Sequence, residues 1–179
     1  MSTTQWLIDP AHSEISFKVK HLMITNVKGE FKEFTGSVEH NGLEFLADSI
    51  VVTLKAESIF TNNSDRDNHL RTSDFFEAEK YPELTFKGST LTKVEDDEYT
   101  HTGTLTMKDV TKEISLDVEF GGVNKDPWGN EKAGFSVSTK INRKDWGLNW
   151  NSTLETGGVL VSDEVKISAD LQFIKSVVN

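Results

Sequence analysis

The sequence predicts an all-β protein, an eight-stranded antiparallel β-barrel broken by one short helical insertion. Apolar residues recur at every second position through about eight segments, the period of a strand with one buried face. Only three prolines (Pro10, Pro82, Pro127) occur in 179 residues. No Ser/Gly-rich or charge-block linker divides the chain, so residues 1–179 read as a single domain. An open sheet of that size would expose one large apolar face and two edges. Closure removes the edges and turns the apolar face inward.

The first strand alternates Ile15, Phe17, Val19 and His21 with Ser16, Lys18 and Lys20. In the second, Val27, Gly29 and Phe31 alternate with Lys28 and Glu30, and the pattern then slips before resuming as Phe34, Gly36 and Val38. A one-residue slip turns every later side chain to the other face, so a bulge is expected near Lys32-Glu33. Ile50, Val52, Leu54 and Ala56 form the third strand.

The insertion follows. Across residues 63–71, Ser64 is placed to cap a helix. Asp65 and Asp67 fall in the first turn, where the macrodipole favours carboxylates, and Arg71 lies four residues beyond Asp67. A second helical turn, Asp74-Phe75-Phe76-Glu77-Ala78, ends before Tyr81-Pro82. Together they predict a plug over one barrel end, with Arg66 or Arg71 paired to Asp74 and with Phe75 and Phe76 packed inward.

Leu84, Phe86 and Gly88 make the fourth strand, and the acidic run Glu95-Asp96-Asp97-Glu98 reads as a solvated hairpin loop. Tyr99, His101, Gly103, Leu105 and Met107 form the fifth strand, and Lys108-Asp109 a short turn into the sixth, marked by Ile114, Leu116, Val118 and Phe120. The seventh carries Phe135, Val137, Thr139 and Ile141. The eighth carries Val165, Ile167, Ala169, Leu171 and Phe173. Trp128, Trp146 and Trp150, with Arg143, read as an aromatic cluster at a barrel rim.

Composition narrows the function. Lys and Arg number 19 and Asp and Glu 29, a net charge of −10. That balance argues against nucleic acid and against anionic membrane surfaces as partners. No cysteine is present, which excludes disulfides and thiolate chemistry. Phe supplies 11 of the aromatics, against four Trp and two Tyr. Phe suits places where no partner for an O–H or N–H exists.

Catalytic signatures are missing: no Gly-x-Ser-x-Gly elbow, no Gly-rich nucleotide loop and no His-Glu-x-x-His pattern occur. The histidines at 12, 21, 40, 69 and 101 are scattered. In Asp65-x-Asp67-x-His69, helix geometry puts Asp65 and His69 on one face and Asp67 on another, so no metal site is predicted. No catalytic residue and no cofactor is expected.

An eight-stranded barrel is either filled by its own side chains or just wide enough for one small ligand. The candidate lining is Phe17, Val19, His21, Leu22, Phe31, Phe34, Leu54, Phe75, Phe76, Phe86, His101, Leu105, Leu116, Phe135 and Ile167. Arg66, His69, Arg71 and Arg143 are candidates for meeting a polar head group at the mouth. The occupant expected of such a pore is long, thin and apolar.

A family resemblance adds to this reading. The opening Trp6-x-Ile8-Asp9-x-x-His12-Ser13-x-Ile15-x-Phe17 is followed in register by His21-Leu22-x-Ile24-x-x-Val27-x-Gly29-x-Phe31-x-x-Phe34-x-Gly36. Ser58-Ile59-x-Thr61, Arg66-Asp67-x-His69-Leu70 and Asp74-Phe75-Phe76-x-x-x-x-Tyr81-Pro82-x-x-x-Phe86 occupy the middle. Gly103-x-Leu105-Thr106-x-x-x-Val110-Thr111-Lys112 and Arg143-x-Asp145-x-Gly147 complete the series. Each motif is modest, but seven in order resemble the YceI-like, polyisoprenoid-binding proteins along essentially the whole chain.

The resemblance implies a lipocalin-like barrel with a hydrophobic pore, a long isoprenoid or isoprenoid-quinone type of lipid as ligand, and a homodimer. It implies no catalytic residues. The expected function is non-enzymatic carriage or sequestration of that lipid. Two alternatives stand beside it: an enzyme using His21 or His101 as acid or base on a lipid-like substrate, and a stress-response interaction module with a filled barrel. The amino terminus shows neither a basic region nor an apolar run of a secretory signal, so a cytoplasmic location is expected; a periplasmic or secreted protein trimmed of its signal would read the same. No segment reads as membrane-spanning.

Overall fold

A computed structural model describes residues 4–40, 49–152, 154 and 160–176. Its strands are β1 (Thr4–Ile8), β2 (Glu14–His21), β3 (Thr25–Phe31), β4 (Phe34–His40), β5 (Ser49–Lys55), β6 (Ile59–Phe60), β7 (Glu83–Glu95), β8 (Glu98–Met107), β9 (Val110–Lys125), β10 (Glu131–Asn142) and β11 (Val161–Ser176). One α-helix, α1, spans Ser64–Leu70. Every strand pairing is antiparallel.

Eleven strands reduce to eight staves. β2 and β1 pair in succession with β11, the former along Val161–Asp170 and the latter along Phe173–Ser176. β3 and β4 pair with β2 and β1 respectively, and β6 and β5 with β3 and β4. Each of these three couples is therefore one stave with a break in it. With β7 to β11 they run up and down in sequence order, and the pairing of β1 with β11 closes the ring. The eight-stranded antiparallel barrel with one short helix is the fold the periodicity predicts.

The breaks have local causes. Pro10 ends β1 by removing a ladder donor, and the Asp9 carboxylate accepts the Ala11 amide in the 3₁₀ turn that follows. At Lys32-Glu33, the position of the sequence slip, the chain leaves its ladder: Lys32 N–H donates to the Ser58 carbonyl and Lys55 N–H to that of Glu33. A 3₁₀ turn at Ala56–Ser58 breaks the third stave at the same level, and the Ser58 hydroxyl donates to the Glu33 and Lys55 carbonyls. Adjacent breaks thus satisfy one another's backbone groups. Ala56, expected on a strand, sits fully buried in this turn.

Two clusters fill the interior. At the base, Trp6, Ile8, Phe34, Val38, Leu171 and Phe173 pack together with Phe120 and Phe135 against them. Towards the other end, Phe31, Ile59, Phe75, Leu84, Phe86 and Leu105 pack with Trp146 and Leu148. That end, the mouth, is surrounded by the turn at residues 22–24, the insertion, the turn at 108–109 and residues 143–152. In the insertion the cap is Asn63, whose side chain accepts the Arg66 amide, and Ser64 is the first helical residue.

Candidate functional site

The lumen is open. A cavity of about 560 Å³ runs from Val38 and Phe173 at the base to Lys20, His21 and Arg66 at the mouth, within the usual range of about 300–1,000 Å³ for small-molecule sites. The strand period builds its wall: Phe17, Val19, Leu116, Phe135 and Ile167 point inward yet are only half-buried, because they face the lumen. This rules out a barrel filled by its own side chains.

Glycines help to keep the centre clear. A Cβ on Gly29 would fall 2.3 Å from Phe17 Cζ, and one on Gly88 would fall 2.1 Å from His101 Nε2. The Phe17 and His101 side chains therefore lie across bare backbone, so rings that would otherwise block the bore are held against its wall.

Most of the predicted lining is where the alternation puts it. Phe17, Val19, His21, Phe31, Leu54, Phe75, Phe76, Phe86, His101, Leu105, Leu116, Phe135 and Ile167 line the cavity, joined at its mouth by Arg66, His69 and Arg143. Three predicted residues do not. Leu22 sits on the exposed tip of the β2–β3 turn, in the left-handed region at φ 54°. Phe34, just past the break between β3 and β4, is absorbed into the base core. Arg71 turns outward and donates to the Glu57 and Ile59 carbonyls and to Asn68 Oδ1, pinning α1 to β6. Asp74 pairs with neither arginine but with His69, at 2.8 Å.

The mouth is ringed by fixed groups. Asp67, buried, accepts the Thr61 amide and hydroxyl. Arg66 donates its Nε to Thr61 Oγ1 at 2.8 Å and Nη2 to the Thr61 carbonyl at 2.6 Å. His69, held by Asp74, meets the Phe75 and Trp150 rings edge-on at centroid distances of 5.1 and 4.8 Å. Arg143 is almost fully buried; it donates Nε to Ser162, Nη1 to Leu148 and Trp150, and Nη2 to Val161, all at backbone carbonyls. Burial lowers its pKa from the ordinary value, against the pull of Asp163. The guanidinium thus clasps the 147–152 segment to β11, and its donors are largely spent on that task.

Deeper in, the lining has one polar group of a different kind. His101, on β8, is buried against Phe86, with ring centroids 5.7 Å apart. Its Nε2 is the one buried side-chain polar atom without a hydrogen-bond partner among the described residues. Burial lowers its pKa, which favours the neutral ring.

Sequence reasoning missed other contributors. Leu160 and Val161 complete the mouth beside Trp150, which the sequence placed at a rim, but they lie in or beside a stretch without alternation. The tryptophan cluster is divided. Trp146 is buried and donates Nε1–H to the Leu105 carbonyl, Trp150 lines the mouth, and Trp128 stands 83% exposed on the β9–β10 turn at the base. Among the described residues no group of three His, Cys, Asp or Glu side chains converges as metal ligands, and no helix is long and apolar enough to cross a membrane.

The protein is thus a closed antiparallel barrel with an unfilled apolar lumen and a polar, aromatic mouth. The chain belongs to the YceI-like domain family, whose profile matches residues 6–173. It is 43% identical over 171 residues to a UPF0312 protein of Staphylococcus epidermidis, covering 95% of this chain and 97% of that protein. A UPF0312 protein of Staphylococcus aureus is 40% identical, with the same coverage. Among solved structures, the Campylobacter jejuni YceI protein superposes with a TM-score of 0.76 at 38% identity, over 89% of this chain and 91% of that one. A polyisoprenoid binding domain from Saccharophagus degradans shares the fold, with a TM-score of 0.73 at 15% identity over 96% and 98% of the two chains.

Proposed function

We propose that the protein binds a long apolar lipid of polyisoprenoid or isoprenoid-quinone type in its lumen, to carry or sequester it without chemical change. The observation that carries this reading is the cavity itself: about 560 Å³, with walls of Phe, Leu, Ile and Val, with its charged groups gathered at one end and His101 the polar group deeper in. Each methylene buried there contributes about 0.8 kcal/mol, so a tail of many carbons gains affinity without directional contacts. The polyisoprenoid-binding relative of like fold supports the same class of ligand.

A carrier role fits the polar groups better than catalysis does. Among the described residues His101 Nε2 has no hydrogen-bond partner, so nothing there orients the ring as a carboxylate orients the histidine of a catalytic triad. Of the four predicted head-group residues, Arg66 and His69 remain at the mouth to meet one; Arg71 faces away and Arg143 is committed to carbonyls.

Native mass spectrometry and solvent extraction of the purified protein test this directly. A bound species of lipid mass is expected, and the delipidated protein should take up fluorescent polyprenyl or quinone probes. Leu116→Trp, which fills the bore from β9, should abolish uptake while the fold is retained. The absence of any co-purifying lipid together with no probe binding would overturn the proposal. Sedimentation of the same samples tests the homodimer.

A further inference from the structure

The outer surface beside the mouth combines two features that a soluble barrel has no use for. The β2–β3 turn carries Leu22, Met23 and Ile24, exposed by 38%, 53% and 78%. Leu22 and Met23 both sit in the left-handed region, at φ 54° and 60°, and the Ile24 amide closes the turn onto the His21 carbonyl. Turns of that shape favour Asn and Gly. Here the sequence places three large apolar side chains on the tip instead, where they project away from the barrel.

Behind the tip lies a row of lysines. Lys28 on β3 is directly opposite Lys18 on β2, Lys18 opposite Lys166 on β11, and Lys166 opposite Lys140 on β10. All four are exposed, on the face that alternates with the cavity wall. Like charges directly opposite across strands destabilise a sheet. Lys20, one step nearer the tip, extends the row. Two acids interrupt it: Glu164 lies 3.9 Å from Lys140, and Asp163 3.4 Å from Lys144. Lys18, Lys20, Lys28 and Lys166 have no ion-pair partner among the described residues.

We infer that this edge of the mouth docks on an anionic lipid bilayer, with Leu22, Met23 and Ile24 inserted among the head groups and the lysine row against their phosphates. Apolar insertion and attraction to anionic lipid are the two contributions that hold a peripheral protein on a membrane, and here they lie side by side. The net charge of −10, which taken over the whole chain argues against an anionic surface, does not decide the matter for this edge, because charge acts locally: at physiological salt the screening length is about 8 Å. The acidic hairpin at residues 95–98 lies at the base, at the far end of the barrel. Next to this edge, beyond β3, the insertion that follows β6 carries Asp65, Asp74, Glu77 and Glu79, so the barrel would meet the surface tilted away from the insertion, onto β2, β3 and β11. His21 and Leu160, which border the tip, also line the cavity, so docking would bring the lumen's opening to the lipid.

Flotation with vesicles tests this, using phosphatidylcholine alone or phosphatidylcholine mixed with phosphatidylglycerol. The protein should float with the anionic vesicles at low salt, less at physiological salt, and not with phosphatidylcholine alone. Ile24→Asp should lower binding about tenfold, and Lys18→Glu with Lys28→Glu and Lys166→Glu should remove the preference for phosphatidylglycerol. Val94→Asp, at an exposed site on the base, should change nothing. Thermal melts of each variant show that the fold is kept.

No flotation at low salt would overturn the inference, as would an Ile24→Asp variant that floats like the parent. So would a dimer in solution that Ile24→Asp dissociates, since a second copy would then be the tip's partner. Probe uptake by Ile24→Asp, measured without vesicles, reports on the lumen separately, so failure of docking and failure of lipid binding are distinguishable.

Discussion

The two halves of the barrel are written in the same alternating pattern and built to opposite ends. At the base, Val38 and Phe173 are fully buried and Trp6 nearly so, and large residues from facing staves meet across the axis. At mid-barrel the equivalent inward positions carry Phe17, Leu116 and Ile167, half-buried around a void. Period two states which face points inward. It does not state whether the space inside is filled. What decides that is the size of what stands opposite, and here inward glycines at 29 and 88 hold Phe17 and His101 flat to the wall.

The largest expected effect separates the halves by energy. Phe173→Ala removes a fully buried ring from packed surroundings and should cost about 3–5 kcal/mol. Leu116→Ala shortens a side chain that already lacks neighbours on its lumen side. It should cost only about 1 kcal/mol, while lowering lipid affinity. Urea denaturation of the two variants measures both. Equal losses would mean that the lumen collapses around its wall in solution, and the contrast between packed base and open bore would fail.

The next effect tests how the bore is kept clear. In Gly88→Ala the new Cβ would stand 2.1 Å from His101 Nε2 and 2.4 Å from Ile50 Cγ2. Relief requires the imidazole to swing into the lumen, with an expected loss of about 1–3 kcal/mol from overpacking. Probe binding should fall more than stability does. Gly29→Ala should act the same way through Phe17, whose ring it would strike. Unchanged probe affinity in both would show that the glycines serve folding alone.

His101 distinguishes the halves by pH as well. Burial lowers its pKa below the ordinary 6.5, so the unfolded chain holds the proton more tightly than the folded one. The stability contributed by a neutral ring is complete above the unfolded value and is lost as pH falls through the folded one. Melting temperature should therefore decline on acidification below about pH 6.5, and His101→Phe should flatten that decline. Phe173→Ala, which removes no titrating group, should lower the curve without changing its shape there.

Much of this was legible in the sequence, for a reason that also sets the limit. Strand faces, the break at Lys32-Glu33 and the charged, Phe-bearing insertion all leave local marks, because each is enforced by residues adjacent in the chain. Thr4–Ile8 left too little: five residues ending at Asp9-Pro10, although the pairing of this segment with β11 closes the barrel. Phe34 and Val38 share a face in the pattern, yet only Val38 reaches the cavity. That difference depends on what the facing staves supply. Arg143 is a charge in the sequence and a clasp in the fold, because its four carbonyl partners come from two segments whose approach no spacing records.

The smallest effect concerns the two turns that punctuate the mouth. Lys108 and Asp109 take φ of 51° and 63°, the paired left-handed conformation of a tight hairpin. Neither residue is a glycine, and both are polar, with Asp109 exposed and Lys108 half-buried. Asp109→Gly relieves the backbone at the loss of only an exposed charge interaction with Lys80, and should stabilise the protein by a few tenths to about 1 kcal/mol. Leu22 and Met23 adopt the same conformation, at 54° and 60°. Met23→Gly should likewise gain stability, but it also strips an apolar side chain from the tip. If Asp109→Gly raises the melting temperature with vesicle binding intact, while Met23→Gly raises it and weakens that binding, then strain at the second turn is retained for a surface function. If both leave binding untouched, the two turns differ in composition only.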